Sequence, residues 1–134
     1  MIKMMRIDII SAVPDSLVSP LQTSIIKRAQ DKKKVEITIH NVRDYAYNKH
    51  KQIDDKPFGG GPGMLIKPEP FFECIETLSK EKKYDHIIFT TPKGKIFDQQ
   101  YANKLSLASN ILFVTGHYKG IDDRVRENFA TDEI

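Results

Sequence analysis

Four short runs rich in apolar and β-branched residues punctuate the chain: MRIDIISAV at 5–13, VEITIH at 35–40, HIIFTT at 86–91 and ILFVTG at 111–116. The stretches between them carry helical periodicity. The last two runs are apolar on both sides of the pleat, which suits strands covered on both faces. Strands alternating with helices at this spacing predict right-handed crossovers and a mostly parallel sheet flanked by helices, an α/β fold. Between the first two strands, Ser19, Pro20 and Gln22 form the signature of a helix start with a capping box, and Leu21, Ile25 and Ala29 fall on one face of that helix. It is expected to end near DKKK, a lysine run that suits a solvated helix terminus better than a nucleic-acid contact. Further helices are predicted from about Pro70 to Ser79, over 98–108, and from Ile121 onward with Val125 and Phe129 on one stripe.

In a parallel sheet, ligands bind outside the carboxyl ends of the strands. Two connections carry glycine at that edge, TPKG (91–94) after the third strand and GHYKG (116–120) after the fourth. Gly94, Gly116 and Gly120 would let main-chain groups approach a ligand, and two such turns on one edge predict a crevice.

The connection at 41–64, NVRDYAYNKHKQIDDKPFGGGPGM, is long for a compact domain and ends in a run holding four glycines and two prolines. Such a run is neither helix nor strand. Neither a dinucleotide fingerprint nor a Walker loop fits, because Met64 and Leu65 stand where those motifs need glycine or lysine. Arg43, Lys49, Lys51 and Lys56 could neutralise phosphates. Tyr45, Tyr47 and His50 fit either stacking on unpaired bases or covering the core edge. His50 alone reads more readily as a surface or structural histidine.

The 134 residues fit one domain with its own core. With 21 Lys and Arg against 18 Asp and Glu, the charge permits an anionic partner without demanding one. The single Cys74 shares helical spacing with Phe71, Ile75 and Leu78 and is expected in the core, which leaves no disulfide framework and no cysteine metal site. No run is apolar enough to span a membrane and the start is too quickly charged for a signal peptide, so a soluble, cytoplasmic protein is expected.

Taken together, RDYAYNKHKQIDDKPFGGGPGM, TPKG and GHYKGIDDRV, with RIDIISAVPD at the start, resemble the bacterial tRNA (guanine-N(1)-)-methyltransferases, the TrmD family of the SPOUT class. The order and spacing of these motifs match along essentially the whole chain. The resemblance implies methyl transfer from S-adenosylmethionine to N1 of the guanine 3′ to the tRNA anticodon, by a homodimer with a trefoil-knotted donor site. It carries the first donor loop onto Phe89, Thr90, Thr91, Pro92 and Gly94, and the second onto Gly116 and Tyr118. It also carries the wall for the anticodon-side bases onto His50, Asp54, Pro62 and Gly63. His117 and Lys119 depart from the arginine and the acidic residue common in that second loop, and no metal is expected. The resemblance further implies that residues 1–134 are an incomplete donor-binding domain. The sequence stops before the third donor loop that completes the knot, before the general base, and before the C-terminal tRNA-binding domain. Asp122 and Asp123 read as helix N-terminal acids and Arg124 as a structural partner, so no catalytic residue is assigned. A non-catalytic RNA-binding domain of the same fold is the alternative. An oxidoreductase nucleotide domain is disfavoured because SAVPD stands where a glycine fingerprint would follow the first strand.

Overall fold

The strand β1 (Met5–Ser11) sends alternate side chains to opposite faces, Asp8 and Ile10 to one and Met5 and Ile7 to the other. The computed structural model describes residues 4–45, 54–55, 65–66, 68–91, 94–115 and 129–134. Around β1 it builds a five-stranded sheet in the order β2 (Val35–Asn41), β1, β6 (Asn110–Val114), β5 (His86–Phe89), β7 (Asp132–Glu133). Every neighbouring pair is parallel, with Ile7 opposite both Ile37 and Ile111, and Phe89 opposite Val114. The mostly parallel α/β architecture expected from the alternating runs is the one observed.

Period-2 alternation divides the core in two. On one face Ile10, Phe89, Leu112 and Val114 meet Phe71, Cys74, Ile75 and Leu78 of α3 (Pro68–Glu81), together with Val42 from a 3₁₀ turn at Val42–Tyr45. Phe129 joins this face, its ring centroid 5.4 Å from that of Phe72. On the other face Ile88 and Ile111 pack with Leu105 of α4 (Gln99–Leu105), flanked by Met5, Ile7, Tyr101 and Phe113. Asp98 starts α4 by accepting a hydrogen bond from the Tyr101 amide at 2.8 Å. Cys74 is a core residue as expected, and burial pushes its thiol up to about 12, so it carries no thiolate at neutral pH.

The first crossover differs from the sequence expectation. Ser19 and Pro20 do not open a helix but lie inside one, α1 (Asp15–Leu21), and a second helix, α2 (Ser24–Asp31), follows. Proline has no N–H to continue the ladder, and α1 stops one residue later. The N-cap of α2 is Thr23, whose hydroxyl turns back to the Pro20 carbonyl at 3.1 Å. Of the three residues expected on one helix face, Leu21 falls in α1 and Ile25 and Ala29 in α2; Ile25 is 74% exposed, and neither short helix buries a side chain. The turn at the lysine run is as expected, with Lys33 in the left-handed region at φ 58 and the Lys34 amide donating to the Ala29 carbonyl at 2.9 Å. The helix expected from Ile121 falls on residues 121–128, outside the described residues.

Between the apolar layers sits a buried carboxylate. Asp8, 2% exposed, accepts from Nε2 of His40 on β2 at 2.8 Å, from the Tyr84 hydroxyl at 2.7 Å and from Nζ of Lys82 at 3.2 Å. Burial alone would push its pKa up, but the hydrogen bonds from His40, Tyr84 and Lys82, and the lysine charge, outweigh it and hold the carboxyl below its ordinary value. Tyr84 moves the other way, pushed up by burial and then by Asp8. The carboxylate thereby ties β1 and β2 to the segment that delivers α3 into β5. Because the folded pKa is depressed, the stabilisation is complete above the unfolded value and is lost as pH falls through the folded one. Asp8→Asn is expected to lower stability at pH 7 by about 2 kcal/mol, as buried donors lose an ionised acceptor. In urea melts the gap between variant and wild type should close as pH falls below about 4, and a gap that persists at acid pH would rule out an ionised Asp8.

Candidate functional site

Because β5 and β6 are neighbours in the sheet, the two glycine-bearing connections leave from adjacent strand ends. The amide of Thr90 donates to the Val114 carbonyl at 3.2 Å, so the last paired residues of both strands are joined immediately before their connections depart. On the far side of β6, Thr115 is fixed to β1 through its amide and its hydroxyl, both donating to the Ile10 carbonyl at 3.0 and 2.8 Å. The edge is continued by Ser11, whose Oγ accepts from the Val13 amide at 3.0 Å. Beyond it Arg43 Nε donates to the Ala12 carbonyl at 3.2 Å. The chain leaves β1 for β2 on one side and leaves β6 for β7 on the other, so the strand order diverges between β1 and β6. That divergence marks the ligand crevice of open parallel sheets.

The expected donor residues sit at this edge in different ways. Phe89 ends β5 with its ring in the core against α3, so only its main chain faces the edge. Thr90 is exposed. Thr91 donates its amide to the Ile134 carbonyl at 2.7 Å and accepts from the Gly94 amide at 3.0 Å, closing a turn. Pro92, Gly116 and Tyr118 lie outside the described residues, as do His50, Pro62 and Gly63 of the expected base-side wall. Asp54 is described only through its main chain: β3 (Asp54–Asp55) pairs antiparallel with β4 (Leu65–Ile66), which joins the two ends of the glycine-rich run. The structure therefore unites Phe89, Thr90, Thr91 and Gly94 with Thr115, and Ser11, Thr115 and Ile134 are edge residues to which the sequence assigned no site role. Their signal is positional, since each lies at or just past the end of a strand. Among the described residues no cluster of His, Cys, Asp and Glu is arranged to hold a metal ion.

Gly94 has a structural reason to be glycine that the sequence did not reveal. A Cβ there would lie 2.5 Å from the carbonyl carbon and 2.6 Å from the Cα and N of Ile134, all main-chain atoms. The close approach at this position is made by β7 and its continuation rather than by open space for a ligand. Gly94→Ala is expected to lower stability by about 1–3 kcal/mol, because main chain cannot swing aside as a side-chain tip can. The loss should be measurable in urea melts, and an unchanged midpoint would mean that the Gly94–Ile134 approach is not maintained in solution.

Comparison with known proteins agrees with this arrangement. The sequence profile of the family described as tRNA (Guanine-1)-methyltransferase TrmD matches residues 5–134. A tRNA (guanine-N(1)-)-methyltransferase of Bacteroides fragilis is 53% identical over 130 residues, covering 97% of this chain and 58% of the relative. One from Chlorobaculum tepidum is 50% identical over 130 residues, covering 97% of this chain and 56% of the relative. The chain thus spans somewhat more than half the length of these relatives. The crystal structure of tRNA (m1G37) methyltransferase from Aquifex aeolicus superposes with a TM-score of 0.88 at 31% identity, covering 98% of this chain and 59% of that one. With the profile matching nearly every residue and the sheet superposing on a solved member, the chain belongs to the TrmD family of tRNA (guanine-1)-methyltransferases.

Proposed function

We propose that this chain supplies the methyl-donor side of a tRNA guanine-N1 methyltransferase, with the guanine 3′ to the anticodon as acceptor. The observation that carries the reading is the junction of β5 and β6, where the connections bearing TPKG and GHYKG leave side by side in a chain that matches the family along its length. The described part of the edge consists of main-chain groups, Ser11 and the threonines at 90, 91 and 115. Amides, carbonyls and hydroxyls of this kind suit the ring nitrogens and ribose hydroxyls of an adenosine, so S-adenosylmethionine fits the residues present. When bound, the sulfonium supplies a methyl group that needs no further activation.

The work left to protein groups is to orient the acceptor and to take the proton that guanine N1 carries, while a donor or cation balances charge growing on O6. We assign the donor wall to Phe89, Thr90, Thr91, Pro92, Gly94, Gly116 and Tyr118, with Gly94 acting through Ile134, and the acceptor wall to His50, Asp54, Pro62 and Gly63. We leave the base unassigned within 1–134. Exposed apolar side chains on α1 and α2, Val18, Ile25 and Ile26 among them, support self-association into a homodimer.

Two measurements test the reading. Calorimetric titration with S-adenosylmethionine is expected to show binding that falls more than tenfold in Gly116→Leu, a change of about 1.4 kcal/mol. Labelled methyl groups should reach tRNA transcripts only where guanine follows the anticodon, and only in a version extended by the remaining residues of the Bacteroides fragilis relative, with the 134-residue chain alone inactive. Incorporation into transcripts carrying adenine at that position would refute the acceptor assignment. Tight tRNA binding without donor binding would instead favour a non-catalytic RNA-binding domain.

A further inference from the structure

The two-residue strand β7 is too short to hold an edge by its own ladder, yet the TPKG turn leans on it. The amides of Thr91 and Lys95 donate to the carbonyls of Ile134 and Glu133 at 2.7 and 3.0 Å, Ile134 returns its amide to the Phe89 carbonyl at 3.0 Å, and Gly94 abuts the Ile134 main chain. Beside the main-chain bonds, a set of side chains at the opposite end of β5 joins β7 to that strand. Nδ1 of His86 lies 2.8 Å from Oδ2 of Asp132, the Thr131 hydroxyl lies 3.0 Å from the same oxygen, and Nζ of Lys104 on α4 approaches Oδ1 at 3.9 Å. The Thr131 hydroxyl also accepts from the Ile87 amide at 2.8 Å, binding the cluster to the β5 main chain.

Both partners of the central contact are well sheltered, His86 at 18% and Asp132 at 16% side-chain exposure, so water competes weakly for it. Burial alone would raise the pKa of Asp132, but hydrogen bonds from His86 and Thr131, with the charges of His86 and Lys104, hold it below the ordinary value. An ionised carboxylate has no hydrogen to give, so Nδ1 of His86 is the donor. Tyr101 buries its hydroxyl in the same neighbourhood, where burial and then the Asp132 charge push its pKa up.

We infer that His86 and Asp132 are positioning residues for the methyl-donor site: they clasp β7 to β5, and through the Ile134 and Glu133 carbonyls the clasp fixes Thr91 and Lys95, with Gly94 seated against Ile134 between them. The inference rests on the donor-site reading above. It makes the shape of the donor wall conditional on a contact that never touches the donor.

The test uses amide hydrogen exchange on the 134-residue chain and S-adenosylmethionine titration on the version extended by the remaining residues of the Bacteroides fragilis relative, each for the wild type and for His86→Ala, Asp132→Ala and His86→Asn. Asparagine places a side-chain N–H close to where Nδ1 stands, so it is the conservative replacement. In the two alanine variants, exchange at Thr91, Lys95 and Ile134 is expected to accelerate at least tenfold, while Arg6 and Thr115, bonded across the sheet centre, keep their protection. Donor affinity should fall at least fivefold in both and return towards wild type in His86→Asn. Unchanged exchange at Thr91 and Lys95 overturns the clasp. Equal loss of protection at Arg6 and Thr115 reduces it to a general stability element and overturns it too. Faster exchange with unaltered affinity, or no recovery in His86→Asn, breaks the link to the donor site. Absence of binding to the wild type defeats the donor reading itself, while the exchange data still decide whether the clasp exists.

Discussion

The main chain of β6 is bonded on both sides, to β1 through Arg6–Ile10 and to β5 through His86–Phe89, and the rest of the molecule is arranged around that fact. A parallel strand flanked on both sides cannot expose either face cheaply, so Leu112 and Val114 require one apolar cover and Ile111 and Phe113 another. Helices α3 and α4 supply these covers from opposite sides. The same pairing places the end of β6 between the ends of β1 and β5, and so makes one continuous edge out of connections far apart in sequence.

This logic explains what the sequence disclosed. The runs that became β5 and β6 were legible because strands covered on both faces are written as unbroken apolar stretches, and Cys74 was legible because its helical neighbours share one face. Glycine after two such runs marks connections that leave from one edge, because the parallel pairing of β5 and β6 brings their ends together. The core role of Phe89 was less apparent, since period 2 alone does not say which residue of a short run turns its ring inward.

Other features left little trace. Asp8 reads as one polar interruption in an apolar strand, and its partners His40, Lys82 and Tyr84 lie on other elements, so no local window contains the group. β7 is Asp132–Glu133, a pair with poor strand propensity that is held by His86 and by the ends of β5 rather than by its own composition. Ser19 and Pro20 matched a helix-start pattern closely but were placed by the end of α1, where proline stops a helix as readily as it starts one. From sequence Gly94 reads as clearance for a ligand; the Ile134 main chain that occupies the space of its missing Cβ lies forty residues on in the chain, outside any local window.

The position of β6 also bears on how the chain reaches its fold. β2 follows β1 after a short helical crossover whereas β6 comes late in the chain, so Ile37 becomes available to Ile7 long before Ile111 does. During synthesis from the N-terminus, the first two strands therefore stand as an open ribbon, with one long apolar rim unsatisfied until nearly the whole span has left the ribosome. High contact order of this kind slows collapse and leaves an exposed rim able to recruit another nascent chain. Arg6 and Asp8 interrupt the apolar run of β1 with charge, the pattern of gatekeeper residues in a strand whose edge awaits its partner. In the folded protein Asp8 becomes the buried hub that joins β1 to β2 and to the entry of β5.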